Sequence, residues 1–178
     1  MMKIMVTLDG SSFAEAVVEP AVQLAREAKL AEVYLVRVVD PSDAHSTVVG
    51  APEYEGTLRE AGLEGERFTE VSGNIGGSRA VETSDQALER IEQEVKDYLQ
   101  HIGDRFDPIR PEAVVLVGED VDQELARFAG QQNVDIIAMS SHGRSGLGRL
   151  IMGSHAQRLM EYGVAPVLVV RPDRLHQD

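Results

Sequence analysis

Apolar residues along the chain fall into two alternating kinds of segment. Short, continuous runs rich in β-branched residues cover Ile4 to Leu8, Val33 to Val39, Ala113 to Val117, Val134 to Met139 and Pro166 to Val170. Longer stretches between them repeat their apolar residues at three and four. Strands covered on both faces read as continuous runs, and their alternation with helices is the pattern of a parallel α/β sheet. Five strands are therefore predicted.

The first helical stretch lies in "SSFAEAVVEPAVQLAREAKL", where Ala14, Val17, Val18, Ala21, Val22, Leu24, Ala25 and Ala28 form one face. Ser11 or Ser12 can cap it. Pro20 removes a backbone donor from that pattern, which predicts a kink. A second helix is expected over Ser84 to His101, capped by Ser84, with Ala87, Leu88, Ile91, Val95, Tyr98 and Leu99 as its buried stripe. A third is expected over Val121 to Gln131. A fourth runs from Met152 to Tyr162, with Gly153 and Ser154 in its first turn and Gly163 as the stop signal.

Residues 41–83 break the alternation. They hold seven glycines, begin strongly acidic and contain one short helical pattern near "TLREAGLEGERF". A connection of this length in a compact domain is usually functional or disordered. It follows the second strand and so leaves from the carboxyl edge of the sheet, where open α/β sheets bind ligands. Two expectations stand side by side here, a flap over a site and a solvated insertion. The tail "RPDRLHQD" is polar and expected to fray.

Composition narrows the classes. With 178 residues, one domain is expected, large enough to bury a core without staples. The absence of cysteine excludes disulfides, zinc–thiolate sites and thiol nucleophiles, and fits a reducing compartment. "MMKIMVTLDG" lacks the long apolar region of a signal peptide or a membrane span and reads as a buried strand, so a soluble cytoplasmic protein without membrane partners is expected. A formal net charge of −13 argues against nucleic acid and anionic membranes, which select cationic surfaces.

Against that acidity stands "SSHGRSGLGRLIMGSHAQRL", residues 140–159, with four glycines, three arginines and two histidines. It connects the fourth predicted strand to the fourth helix. Glycines let backbone N–H groups approach a phosphate, and the uncapped helix N-terminus adds favourable charge. That dipole contributes up to roughly 2 kcal/mol, so side-chain donors should help. Arg144, Arg149 and Arg158 are candidates, as is the Ser154 hydroxyl. A Walker loop is excluded, because no lysine follows Lys96. "GLGRLI" lacks the third glycine and the later acidic residue of a dinucleotide fingerprint. The competing explanation is a tight turn with solvated arginines. His142 has no paired aspartate, cysteine or metal-ligand spacing, so a solvent-facing or backbone-bonded histidine is expected there.

The same stretch resembles the motif of the universal stress protein family: Gly, two residues, Gly, nine residues, Gly and Ser or Thr. Here Ser140 stands at the first position, followed by Gly143 and by Gly153-Ser154. "VTLDGS", "VYLVRVVD", "VLVGED" and "APVLVVRP" are similar to the family as well, so the resemblance spans the chain and is weakest over residues 41–83. It implies an adenine nucleotide alpha hydrolase-like α/β fold, a parallel sheet of order 3-2-1-4-5 with helices on both faces, and ATP across the carboxyl ends of strands one and four. Carried over by position, Thr7, Leu8, Asp9 and Val38 would contact the adenosine end. Met139, Ser140, Gly143, Gly153, Ser154 and His155 would contact ribose and phosphates, with Arg144 as a nearby cation. Asp9 also has an ordinary turn role in "DGSS", and Mg²⁺ would arrive with the phosphates. His155 stands where the family often has a small aliphatic residue, able to donate to phosphate or to crowd it.

Three functions from different classes follow. The first is an ATP-binding cytoplasmic stress-response regulator, at most a slow ATPase or autophosphorylating protein, since neither a Walker lysine nor a nucleophile–base–orienter set is visible. The second is an interaction module in which Ser140 and His155 have spoiled the pocket. The third is an enzyme acting on a nucleotide or phosphorylated metabolite. The apolar fifth strand, expected at a sheet edge, predicts a homodimer, as does the resemblance.

Overall fold

A computed structural model describes residues 1–28, 30–44, 48–49, 80–81, 83–141 and 153–172, with the backbone alone at 48–49 and 80–81. The predicted runs become strands β1 (Met2–Thr7), β2 (Ala31–Val39), β5 (Glu112–Val117), β6 (Ile136–Ser140) and β7 (Val167–Val170). They pair in parallel in the order β5-β2-β1-β6-β7, which is the expected 3-2-1-4-5 for the five main strands. Two short strands, β3 (Val48–Val49) and β4 (Ala80–Val81), pair antiparallel and join the two ends of the long insertion. The short helical pattern near residues 57–68 and the flap expectation lie outside the described residues, as do residues 173–178 of the tail.

Helices α1 (Val18–Glu27), α2 (Ser84–Gly103), α3 (Val121–Gln132) and α4 (Ser154–Tyr162) make the crossovers. Strand alternation deals the core to two faces. Ile4, Val6, Val33, Leu35 and Ala138 pack with α1 and α2. Met5, Tyr34, Val36, Ile137 and Met139 pack with α3 and α4. Continuous apolar runs were thus required because both faces of every central strand are covered.

Two local expectations change. The cap of α2 is Thr83, not Ser84: the Gln86 amide donates to Thr83 Oγ1 at 3.3 Å and the Thr83 amide to Gln86 Oε1 at 3.0 Å. That reciprocal pair is a capping box, and its Thr-x-x-Gln spacing was present in the sequence. Pro20 occupies the first turn of α1, where backbone N–H groups have no intrahelical partner, so its missing donor costs nothing there. The chain instead enters α1 through a 3₁₀ turn over Ala14–Val17, whose Ala14 amide donates to Ser11 Oγ at 3.1 Å.

The fourth helix begins one residue past Gly153, which is its N-cap, and Gly163 closes it at φ 64°. That left-handed angle is the reason a glycine follows Tyr162.

Candidate functional site

The strand order reverses between β1 and β6, and there the carboxyl ends of β1, β2 and β6 surround a cleft of about 300 Å³. This is the position at which a doubly wound sheet leaves a crevice, because its crossovers depart in opposite directions. The volume lies at the lower end of the range for small-molecule sites, roughly 300–1,000 Å³. The strand ends are fixed by bonds running past the strands proper. The Leu8 amide donates to Val36 O at 2.9 Å, Gly118 N to Val39 O at 3.0 Å and Ser141 N to Val170 O at 2.8 Å.

Of the residues singled out from sequence, Thr7, Leu8, Asp9, Val38, Met139, Ser140 and His155 all line this cleft. Gly153 and Ser154 stand at the head of α4 and are not part of the lining. Gly143, Arg144, Arg149 and His142 lie outside the described residues. The fold therefore gathers residues from four separated stretches, 7–9, 38, 139–140 and 155, into one crevice.

The apolar part of the wall comes from Leu8, Ala14, Val38, Val121, Leu125 and Met139. At the β1 end, Asp9 Oδ1 accepts from the Ser11 amide at 2.8 Å, so the turn role foreseen for this residue is present. Gly10 follows at φ 85°, and a Cβ there would stand 2.5 Å from Arg37 Nη1. Glycine is needed for its conformation, while the Arg37 guanidinium beside it is the movable end of a long side chain.

Arg37 projects from β2 into the same cleft. It was missed in the sequence, although a charge inside "VYLVRVV" was the available signal. It also faces Tyr98, whose phenol is pushed up to about 12 by burial first and the Glu15 carboxylate second, with the Arg37 charge opposing.

At the other end, Gly153 N-caps α4 without any side-chain cap. Its φ of −56° and ψ of 148° suit any residue. A glycine at this place is thus not demanded by backbone angle; close approach is what it permits. Ser140 Oγ is buried and has no partner among the described residues.

The largest departure from the sequence reading is Asp122. It is 2% exposed and is the buried charged residue of the described core. Its Oδ1 lies 2.6 Å from His155 Nδ1, and Arg158 Nη1 donates to its Oδ2 at 3.3 Å. The sequence reading had found no carboxylate–histidine set and had offered Arg158 as an anion donor; the fold pairs both basic residues with this aspartate. A signal existed, because Asp122, Leu125, Ala126 and Ala129 share the buried stripe of α3, so the acid sat at an apolar position. Which partner it met across the helix pair was not legible.

Among the described residues no group of three or more histidine, aspartate or glutamate side chains is placed to hold a metal ion. No described helix is long and apolar enough to cross a membrane.

The geometry defines a doubly wound α/β protein with a small-molecule crevice at its topological switch point. Residues 1–171 match the model of the universal stress protein family, and the chain belongs to that family. A universal stress protein of Methanocaldococcus jannaschii is 27% identical over 169 residues, covering 95% of this chain and 81% of its own length. The solved structure of a second protein of that archaeon superimposes with a TM-score of 0.65 at 20% identity, covering 97% of both chains. A universal stress protein from Archaeoglobus fulgidus, solved in complex with dAMP, superimposes with a TM-score of 0.54 at 19% identity, covering 95% of this chain and 97% of that one.

Proposed function

We propose that this protein binds ATP in the switch-point cleft and acts as a nucleotide-responsive regulator in the cytoplasm. The observation carrying this reading is the polarity of the cleft. Its apolar wall of Leu8, Val38, Leu125 and Met139 suits a purine, and the Asp9 carboxylate at the β1 end suits donors such as ribose hydroxyls or an adenine amine. The uncapped head of α4, with Gly153 as its N-cap, offers backbone N–H groups to phosphates. The residues present therefore fit an adenine nucleotide. Mg²⁺ would come bound to the phosphates, since Asp9 is the one carboxylate among the described lining residues. Universal stress proteins solved with dAMP and with cAMP support adenine recognition as the common element.

A second reading, an interaction module that holds no nucleotide, is favoured by Ser140. Its buried hydroxyl, without a partner among the described residues, adds bulk where the family motif has glycine. Calorimetric titration of nucleotide-free protein with ATP and Mg²⁺ separates the two. Micromolar binding that disappears in Gly153→Val is expected, and the φ of −56° means that valine blocks approach without straining that angle. Absence of heat with wild type would sink the first reading in favour of the second.

Self-association belongs to the same proposal. Strand β7 is bonded to β6 on one side and forms a sheet edge, with Val167–Val170 all half-buried. An apolar edge of this kind is protected when a second copy pairs with it. Light scattering that finds monomers at working concentration would remove the homodimer.

A further inference from the structure

We propose that His155, held by the buried Asp122, is the residue that separates a phosphorylated ligand from a bare nucleoside at this site. The inference rests on the adenine-nucleotide reading and deepens it. Asp122 is 2% exposed, and a carboxylate is kept there only when paired. The carboxylate in its ionised form can only accept, which makes His155 Nδ1 the donor of that form across the 2.6 Å contact. That bond fixes the ring's orientation and leaves Nε2 on its opposite edge, without a hydrogen-bond partner among the described residues.

His155 is the second residue of α4, in the turn whose backbone N–H groups receive no side-chain bond from the N-cap Gly153. Its side chain is 54% exposed and lines the cleft. Both oxygens of Asp122 are occupied, one by His155 and one by Arg158, so its charge is compensated and does not repel an incoming anion. With a hydrogen on each ring nitrogen, the imidazole can donate at both, one to Asp122 and one to a ligand phosphate. The cleft then presents an acceptor, Asp9, on the β1 side and a positioned donor at the α4 side. The ligand class that satisfies both is a nucleoside carrying at least one phosphate. Asp122 acts here as a positioning residue, since it meets the ligand only through His155.

Titration of the full chain with adenosine and with AMP tests this. In wild type, AMP is expected to bind about tenfold more tightly than adenosine, a gain consistent with a single charge-assisted hydrogen bond. His155→Asn places an amide nitrogen near Nδ1 and can keep the Asp122 contact while deleting the distal nitrogen. It should lower the AMP preference several-fold, leaving the part supplied by the backbone N–H groups of α4, and change adenosine affinity less than AMP affinity. His155→Gln restores a distal donor and should recover part of the preference. Asp122→Asn should weaken AMP binding several-fold with adenosine unchanged, a split that a purely structural aspartate would not produce. An unchanged AMP-to-adenosine ratio in His155→Asn overturns the inference and leaves the nucleotide reading standing. Failure of wild type to bind either compound overturns both.

Discussion

On the α1/α2 side of the sheet, charges stay at the rim. Arg105 bridges Glu19 at 2.7 Å and Glu15 at 3.5 Å, with every partner substantially open to water, over an interior of Val17, Val18, Leu99 and Phe106. On the α3/α4 side the acid is inside and its basic partners are outside: Asp122 is 2% exposed, while the His155 and Arg158 side chains are 54% and 60% exposed. The contrast separates two uses of charge. Exposed bridges contribute little, because water and chain entropy offset the attraction. A buried carboxylate is costly alone and is held by its partners, so which partner is removed decides the size of the effect.

Substitutions can break this contrast, in decreasing order of expected effect. Phe106→Ala empties a fully buried site in the α1/α2 core and should cost about 3–5 kcal/mol in denaturant unfolding. His155→Ala strips one of two partners from Asp122 and should cost about 1–3 kcal/mol. Asp122→Leu leaves only solvent-facing cations behind and should stay within about 1 kcal/mol of wild type. If Asp122→Leu proved more damaging than His155→Ala, the asymmetry drawn here would be wrong. Arg105→Ala, on the opposite layer, should cost about 1 kcal/mol or less and lose even that in high salt.

An alkaline titration sharpens the comparison, since each layer holds a shifted tyrosine among the described residues. Tyr34, edge-on to Phe128 at 5.4 Å, is pushed up to about 12 by burial and then by its bond to Glu32; Tyr98 is pushed up to about 12 by burial and then by Glu15. Both shifts favour the protonated phenol in the folded state. The stability they supply is complete below pH ~10 and is lost as the pH rises from about 10 toward 12. Phenolate absorbance should show Tyr34 and Tyr98 ionising late in native protein. Ionisation of Tyr34 or Tyr98 near pH 10, with the fold intact, would contradict this.

The residues of the candidate cleft were named in the sequence by position from the family resemblance, and local pattern marks the strand and helix ends on which they stand. Asp9-Gly10-Ser11 announces a turn after β1, and Gly153-Ser154 announces a helix start after β6. Arg37 and Asp122 were passed over for the same reason: each is a charge set within an otherwise apolar pattern, and the pattern outweighed the exception. Thr83 lost to Ser84 because two capping residues are adjacent and only the reciprocal bond with Gln86 distinguishes them.

The sequence by itself determined the five strands, their alternation with helices and the parallel class of the sheet, since these depend on the local periodicity of apolar residues. Tertiary structure alone decided that Asp122 and His155, 33 positions apart, would be hydrogen-bonded to each other. That pairing depends on α3 and α4 lying side by side on one face of the sheet, with two particular side chains in register across them. Periodicity records which face of each helix is buried; it carries no information about which residue of a neighbouring helix the buried face will meet.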